Sequence, residues 1–225
     1  MSFLDARATQ RELLDEGVSE EETRRSLGDL RFVNRFLGNR RALLQAVAPH
    51  VPAGGSLLDV GCGSGDVPAF LHERLPSHPS AFGVDVKLLH LTAAPPSVRP
   101  VVGDVRKLPF ADKSFDVVTA SQFLHHFDAH ELPGLLAGLG RLARRALVVN
   151  DLHRALVPWL FGRVAFPLLF RSAVSVEDGL LSIRRGFRPD ELGAAFSAAG
   201  LARVAIRRSW PYRLIAVAPA SLGSP

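Results

Sequence analysis

Apolar and polar positions follow two different rhythms along this chain, and the change comes near residue 50. Before it, Leu30, Val33 and Leu37, then Leu43, Leu44 and Val47, recur at helical spacing, with a break near Gly38-Asn39. Ser19 ahead of Glu20, Glu21 and Glu22 resembles a helix start, with acids at the positive end of the helix dipole. After it come short apolar runs of strand length: Leu57, Leu58 and Val60; Ala81 to Val86; Pro100 to Val105; Phe115 to Ala120; Ala146 to Asn150. Between them lie helical stretches. One runs from about Pro68 to Leu75 and stops before Pro76, and another runs from Leu132 to Ala143. Residues 87–99 have room for one or two turns, because Pro95-Pro96 and Pro100 cut the segment short. Strands alternating with helices in this way predict an α/β fold with a parallel sheet.

The pattern continues past the fifth strand. Asp190 to Ala199 reads as a helix closed by Gly200. Arg203 to Trp210 and Arg213 to Ala218 read as two strands joined tightly through Pro211-Tyr212, hence antiparallel. The prediction is one domain over 1–225: a helical extension (1–50), a binding core (51–152), a cap insertion (153–188), and a closing helix with its strand pair (189–225). Within the insertion, Ala155 to Phe170 is strongly apolar but broken by Pro158, Gly162, Arg163 and Pro167. It falls short of the ~20 apolar residues of a membrane span. A helix apolar on most faces is expected to be buried, here as a cap over a substrate site, with contact to a membrane surface as the alternative.

The chain has 225 residues, enough to bury a core, and is 47% hydrophobic and 22% charged, as a soluble enzyme would be. Its lone cysteine, Cys62, excludes an internal disulfide, and the polar N-terminus lacks a signal-type apolar stretch; both favour a cytoplasmic location. The sequence pI of 10.3 suggests nucleic acid, yet the formal charge is only +5 and the basic residues, mostly arginine, are scattered. The densest basic cluster, Arg207 to Arg213 with Trp210 and Tyr212, reads as a solvated strand end and turn in preference to an RNA-contacting patch.

The chemistry is concentrated in Ser56-Leu57-Leu58-Asp59-Val60-Gly61-Cys62-Gly63-Ser64-Gly65. A buried strand runs into glycines at alternate positions and then into a helix whose start carries Pro68. Glycines let the backbone approach a ligand, and the free N–H groups of a helix start attract an anion. A dinucleotide G-x-G-x-x-G turn would need glycine at position 66, where Asp66 stands, so a dehydrogenase is disfavoured. Ligands in such sheets collect at the strands' carboxyl ends. Asp85 closes the second strand twenty residues after Gly65, where a carboxylate can accept a ribose diol.

The run L-D-V-G-C-G-S-G resembles the first motif of class I S-adenosylmethionine-dependent methyltransferases. Gly103-Asp104-Val105-Arg106-Lys107-Leu108-Pro109-Phe110, followed by Ser114-Phe115-Asp116-Val117-Val118, is similar to the corresponding run in small-molecule methyltransferases of quinone and polyketide biosynthesis. The resemblance covers roughly residues 55–151. It implies a Rossmann-like, mostly parallel seven-stranded sheet with helices on both faces and the last strand antiparallel. It also implies S-adenosyl-L-methionine as cofactor, held by Asp59, Gly61, Cys62, Gly63, Gly65, Asp85, Val86, Asp104, Val105, Ser121 and Gln122. Of these, Asp104 would meet the adenine amino group and Val105 its ring. Asp59 is expected to support the glycine turn through backbone N–H groups, Cys62 to be inert, and Asp116 to be a backbone ligand outside the site. In the family an N-terminal helical extension commonly lies over the site mouth; plain packing is the preferred reading of this one's apolar stripe.

Methyl transfer needs alignment and exclusion of water, and a hydroxyl acceptor also gains from a base. His125, His126 and His153, near strand ends, are the candidates, each against a packing role. One of the adjacent pair should face the site and the other the interior. His126, Asp128, His130 and Asp151 lack a compact metal-ligand spacing, so no metal is assigned. Arginines in Arg184-Arg185-Gly186-Phe187-Arg188 are open between an anion-binding or cofactor-side role and a surface linker. The expected function is methyl transfer to oxygen or carbon of a small hydrophobic phenol, quinone precursor or polyketide. The alternatives are an RNA or protein methyltransferase, or a non-catalytic cofactor-binding homologue. No nucleic-acid partner is expected, and the oligomeric state stays open.

Overall fold

A computed structural model describes residues 4–36 and 39–220. Its seven strands are β1 (Ser56–Val60), β2 (Ser80–Asp85), β3 (Val98–Val102), β4 (Phe115–Ser121), β5 (Ala143–Leu152), β6 (Ala205–Ser209) and β7 (Arg213–Pro219). They form one sheet in the order β3-β2-β1-β4-β5-β7-β6. The first five run parallel, and β7 lies antiparallel between β5 and β6. β1, β4 and β5 are buried along most of their length on both faces, which is why they read as unbroken apolar runs. Pro100 is tolerated because β3 is an edge strand.

The helices are α1 (Leu13–Glu16), α2 (Glu20–Phe36), α3 (Asn39–Val47), α4 (Asp66–Arg74), α5 (Leu88–Leu91), α6 (Leu132–Leu142), α7 (Leu156–Leu169), α8 (Ala173–Arg185) and α9 (Pro189–Ala198). Alternation along the strands divides the core between the sheet's two faces. Leu58, Val118 and Leu147 pack with Leu136, Leu139, Leu192 and Phe196 of α6 and α9. Leu57, Val117 and Val148 pack with Leu43, Val47 and Leu71 of α3 and α4. Of the positions used to predict the N-terminal helices, Leu37 and Gly38 lie outside the described residues.

Two expectations are corrected. First, residues 4–12 are not helical; with α1 they form a strap laid against the C-terminal third. Buried Arg154 donates from Nε to the Leu4 carbonyl at 2.9 Å, and Arg7 donates to the carbonyls of Arg185 (2.8 Å) and Phe127 (3.0 Å). The N–H groups of Leu13 and Leu14 donate to the two carboxylate oxygens of Asp178 at 2.7 and 2.9 Å. The strap uses these charged anchors because residues 4–12 have no regular structure and so offer no amphipathic face to bury.

Second, α7 is not buried on most faces. Only Gly162 and Phe166 are enclosed; Leu156, Val157, Leu160, Phe161, Val164, Leu168 and Leu169 are exposed. The reason is that α7 has a single helical partner of consequence, α8. Phe166 sits against Gly162 and Gly179, where an added Cβ would come within 2.8 and 2.9 Å of its ring. The helix does form one wall of the site, through Val157, Pro158, Phe161 and Phe166. No helix among the described residues is long and apolar enough to cross a membrane.

Candidate active site

A cavity of about 970 Å³ opens at the carboxyl ends of β1, β2 and β4, between the glycine turn, the strap, α2 and α7. Ligand pockets run to roughly 300–1,000 Å³, so one cofactor and one acceptor have room together. The turn after β1 has left-handed backbone at Gly61 (φ 64°), Gly63 (φ 54°) and Gly65 (φ 69°), which only glycine adopts readily. At Gly61 a Cβ would lie 2.0 Å from the Phe123 ring, so no larger residue fits. At Gly63 it would meet only Leu27, at 3.9 Å, and would project into the open cavity.

Gly61, Gly63, Asp85, Val86, Asp104, Val105 and Gln122 all line this cavity. Asp85 Oδ2 accepts the Gly63 N–H at 3.0 Å, while Oδ1 accepts the Lys87 N–H at 2.9 Å and lies 3.2 Å from His90 Nδ1. Burial pushes the Asp85 carboxyl up, but His90 and the two N–H groups outweigh it and hold the pKa below the ordinary value. Three of a carboxylate's four acceptor positions are therefore in use. Asp104 caps the short turn Val105–Lys107 by accepting the Arg106 N–H at 2.9 Å and is half-exposed at the rim. Gln122, held at φ 51°, donates to Asn34 of α2 and accepts from Arg213 at 3.2 Å.

Other predicted residues lie behind the wall. Asp59 is enclosed; its Oδ1 accepts from Thr119 Oγ1 at 2.6 Å instead of from turn N–H groups, and burial pushes its carboxyl up to about 8. Cys62 packs against Gly83, where a Cβ would stand 2.7 Å from its sulfur, and burial drives the thiol pKa upward, consistent with an inert filler. Gly65 serves as N-cap of α4, and Ser121 lies 3.3 Å from Asn150 Nδ2 inside the sheet. Asp116 holds the Ser56 N–H at 2.9 Å and Arg144 at 2.9 Å, far from the cavity wall.

The three histidines separate. His125 is buried, with Nδ1 donating to Asp151 Oδ1 at 2.7 Å and Nε2 3.6 Å from Glu12 of the strap. Burial opposes its charge, but Asp151 and Glu12 outweigh it and raise the imidazole to about 9, so it is a cation at neutral pH. His126 is more open; its Nδ1 donates to Asp15 Oδ2 at 2.8 Å and lies 3.7 Å from Glu12. Both rings line the cavity, their centroids 4.4 Å apart. His153 does not. It stacks on Tyr212 at 6.2 Å, and burial, with Arg208 and Arg154, lowers its imidazole below the ordinary value. Arg185 is buried at the back of the cavity and is no surface linker: it donates to the carbonyls of His125 (2.8 Å) and Gln10.

The sequence reading did not find Glu12, Asp15, Arg7 or Phe123. The first three belong to the strap, which carries no periodicity. Among the described residues Glu12, His125 and His126 form a compact His/carboxylate group, with candidate ligand atoms all within 4.8 Å. The α2 stripe both packs and lines: Leu27 and Val33 are buried, while Leu30 and Phe36 stay exposed on the cavity wall.

A parallel sheet with one reversed strand, a glycine turn beneath an acidic second-strand end, and a cavity large enough for two ligands are the architecture of class I S-adenosylmethionine-dependent methyltransferases, and support that class with S-adenosylmethionine as methyl donor. Comparison with known proteins agrees. The family described as "Methyltransferase domain" matches residues 57–146. A demethylmenaquinone methyltransferase of Roseiflexus sp. (strain RS-1) is 29% identical over 188 residues, covering 76% of this chain and 75% of the relative. A 2-phytyl-1,4-naphtoquinone methyltransferase of Trichormus variabilis is 28% identical over 147 residues, 57% of this chain and 63% of the relative. A SAM-dependent methyltransferase structure from Aquifex aeolicus shares the fold with a TM-score of 0.65 at 17% identity, covering 91% of this chain and all of that one.

Proposed function

We propose that the chain methylates oxygen or carbon of a small hydrophobic acceptor of the quinone-precursor, phenol or polyketide type. The observation that carries this is the placement of His126 in one cavity that has the glycine turn at one side and the apolar side chains of α7 at the other. The quinone-type relatives support the acceptor class.

The cofactor supplies a methyl group already activated on a sulfonium, so the protein's work is alignment, exclusion of water and removal of a proton. Asp85 takes a ribose hydroxyl at its remaining acceptor position, and the second by giving up His90. Asp104 and Val105 hold the adenine. Val157, Phe161 and Phe166 hold the acceptor's apolar body. His126, with Nδ1 fixed by Asp15, presents Nε2 as its free nitrogen. When the bound donor methylates an acceptor hydroxyl, Nε2 would take the hydroxyl proton. His125 cannot do this: it is already protonated, and it stabilises the negative charge of Asp151 and Glu12.

The test is methyl transfer from labelled S-adenosylmethionine to a panel of hydroquinones, alkyl phenols and polyketide lactones, set beside calorimetric cofactor binding. Turnover of a panel member that is lost in His126→Gln, with cofactor affinity retained, is the expected result. Cofactor binding with no turnover of any apolar acceptor would sink the proposal.

A further inference from the structure

We infer that α7 and the Trp210 turn form a docking face for an anionic lipid bilayer, against which the cavity mouth opens. The exposed residues of α7 are an organised stripe. Val157, Phe161, Val164 and Leu168 are spaced four, three and four apart, so they share one helix face, and Val164 and Leu168 are 71% and 81% exposed. Beyond β6, Trp210 is 82% exposed. Val157, Phe161 and Trp210 also line the cavity, so two separate elements carry the apolar surface from the outside to the site. A patch of this kind on a soluble protein marks an interaction surface.

The occupant follows from the charge. Residues 152–176, which include α7, and residues 192–225, which include the Trp210 turn, contain no aspartate or glutamate at all. They do contain exposed Arg163, Arg171 and Arg208. The nearby acids of α2 are engaged: Asp29 is buried on the N–H groups of Arg171 and Ser172, Glu22 accepts from Ser172 Oγ, and Glu20 and Glu21 pair with Arg24 and Arg25. An apolar stripe bearing an exposed Trp and flanked by exposed cations is the composition of a helix lying in the interface of an anionic membrane. Arg163 stacks over Trp159 at 5.3 Å, which lets its charge sit level with headgroups while the neighbouring stripe enters the acyl boundary. A bilayer at this face would also deliver an acceptor with a long apolar tail without passage through water. That consequence rests on the proposed acceptor class; the docking itself does not.

The test is co-sedimentation of the full chain with vesicles of phosphatidylglycerol and phosphatidylcholine in about equal parts, and with phosphatidylcholine alone, across a salt series. Binding to the anionic vesicles that weakens with salt is expected. Val164→Asp with Leu168→Asp should lower partitioning about tenfold or more, and Arg163→Gln with Arg208→Gln should remove the preference for anionic lipid. Neither pair is assigned to cofactor binding, so calorimetric titration with S-adenosylmethionine reports that the fold is intact. If the aspartate pair does not fold, Val164→Ser with Leu168→Ser serves in its place. Three results overturn the inference: no vesicle binding by the native chain, binding that the α7 variants leave unchanged, or a native dimer in light scattering that these variants dissociate. The last would assign the face to a second copy. Failure of the acceptor panel with vesicle binding intact would overturn only the acceptor class.

Discussion

Asp15 and His126 stand 111 positions apart in sequence, and Asp15 Oδ2 accepts the hydrogen bond of His126 Nδ1 at 2.8 Å. The contact crosses from the strap to the turn after β4, so the ring that faces the acceptor is oriented by a segment outside the sheet. Three other hydrogen bonds to Asp178 and Lys87 hold that segment in place. His126→Gln should lower kcat by about 10²–10⁴ on a hydroxyl acceptor and leave cofactor affinity unchanged. Asp15→Asn should lower kcat less, with the affinity again intact. Steady-state kinetics beside calorimetry separates these from misfolding, which would reduce both quantities.

His125 ties stability to pH. Its ordinary value is 6.5 and the folded value about 9, so its protonated form stabilises the fold fully below 6.5 and this contribution is lost as pH rises through 9. Urea unfolding between pH 6.5 and 9.5 should show a decline on the order of 1–3 kcal/mol. The same series on His125→Gln should be flat across that window, though at a lower level, since Asp151 then loses its buried counter-ion. An equally steep decline in the variant would assign the effect to another group.

Gly61 admits no side chain. Gly61→Ala would set a Cβ 2.0 Å from Phe123 at a positive φ, and the ring would have to leave its place against the glycine turn. We expect a loss of about 1–3 kcal/mol in stability together with loss of S-adenosylmethionine binding. Thermal melting and titration on the one sample check both. Gly28→Ala, where a Cβ meets nothing within 4 Å, is the control that should change neither.

Asp178→Ala leaves the N–H groups of Leu13 and Leu14 without their acceptors and should detach α1. The expected signs are faster tryptic cleavage at exposed Arg11 and a raised KM for the acceptor, with a loss of about 1–2 kcal/mol in global stability. Cleavage at the native rate would show that the strap is held by its arginine anchors alone.

Much of this architecture was legible in the chain. Strands buried on two faces write themselves as apolar runs, and the glycine turn, Asp85 and Asp104 stood at the spacing their places on the strands require. Ser121 stands at the expected strand end but meets Asn150 within the sheet, and Asp59, read as a brace for the glycine turn, takes Thr119 instead, because alternation gives the facing of a residue only once the cavity's side is known. His153 was a candidate through its position after β5, yet Tyr212 covers it from the neighbouring strand end, a contact no local pattern encodes. Glu12 and Asp15 were invisible for the reason α7's exposure was: both are set by which distant surface a segment meets, and neither a strap without periodicity nor a uniformly apolar helix states its partner.

The strap has a consequence for how the protein is made. Residues 4–17 leave the ribosome well before four of the groups that hold them, Arg154, Asp178, Arg185 and Arg188, are synthesised. The strap therefore waits for its seat. Until then the nascent sheet can assemble around its glycine turn while His126 lacks Asp15, so the ability to hold a methyl donor precedes the ability to use it.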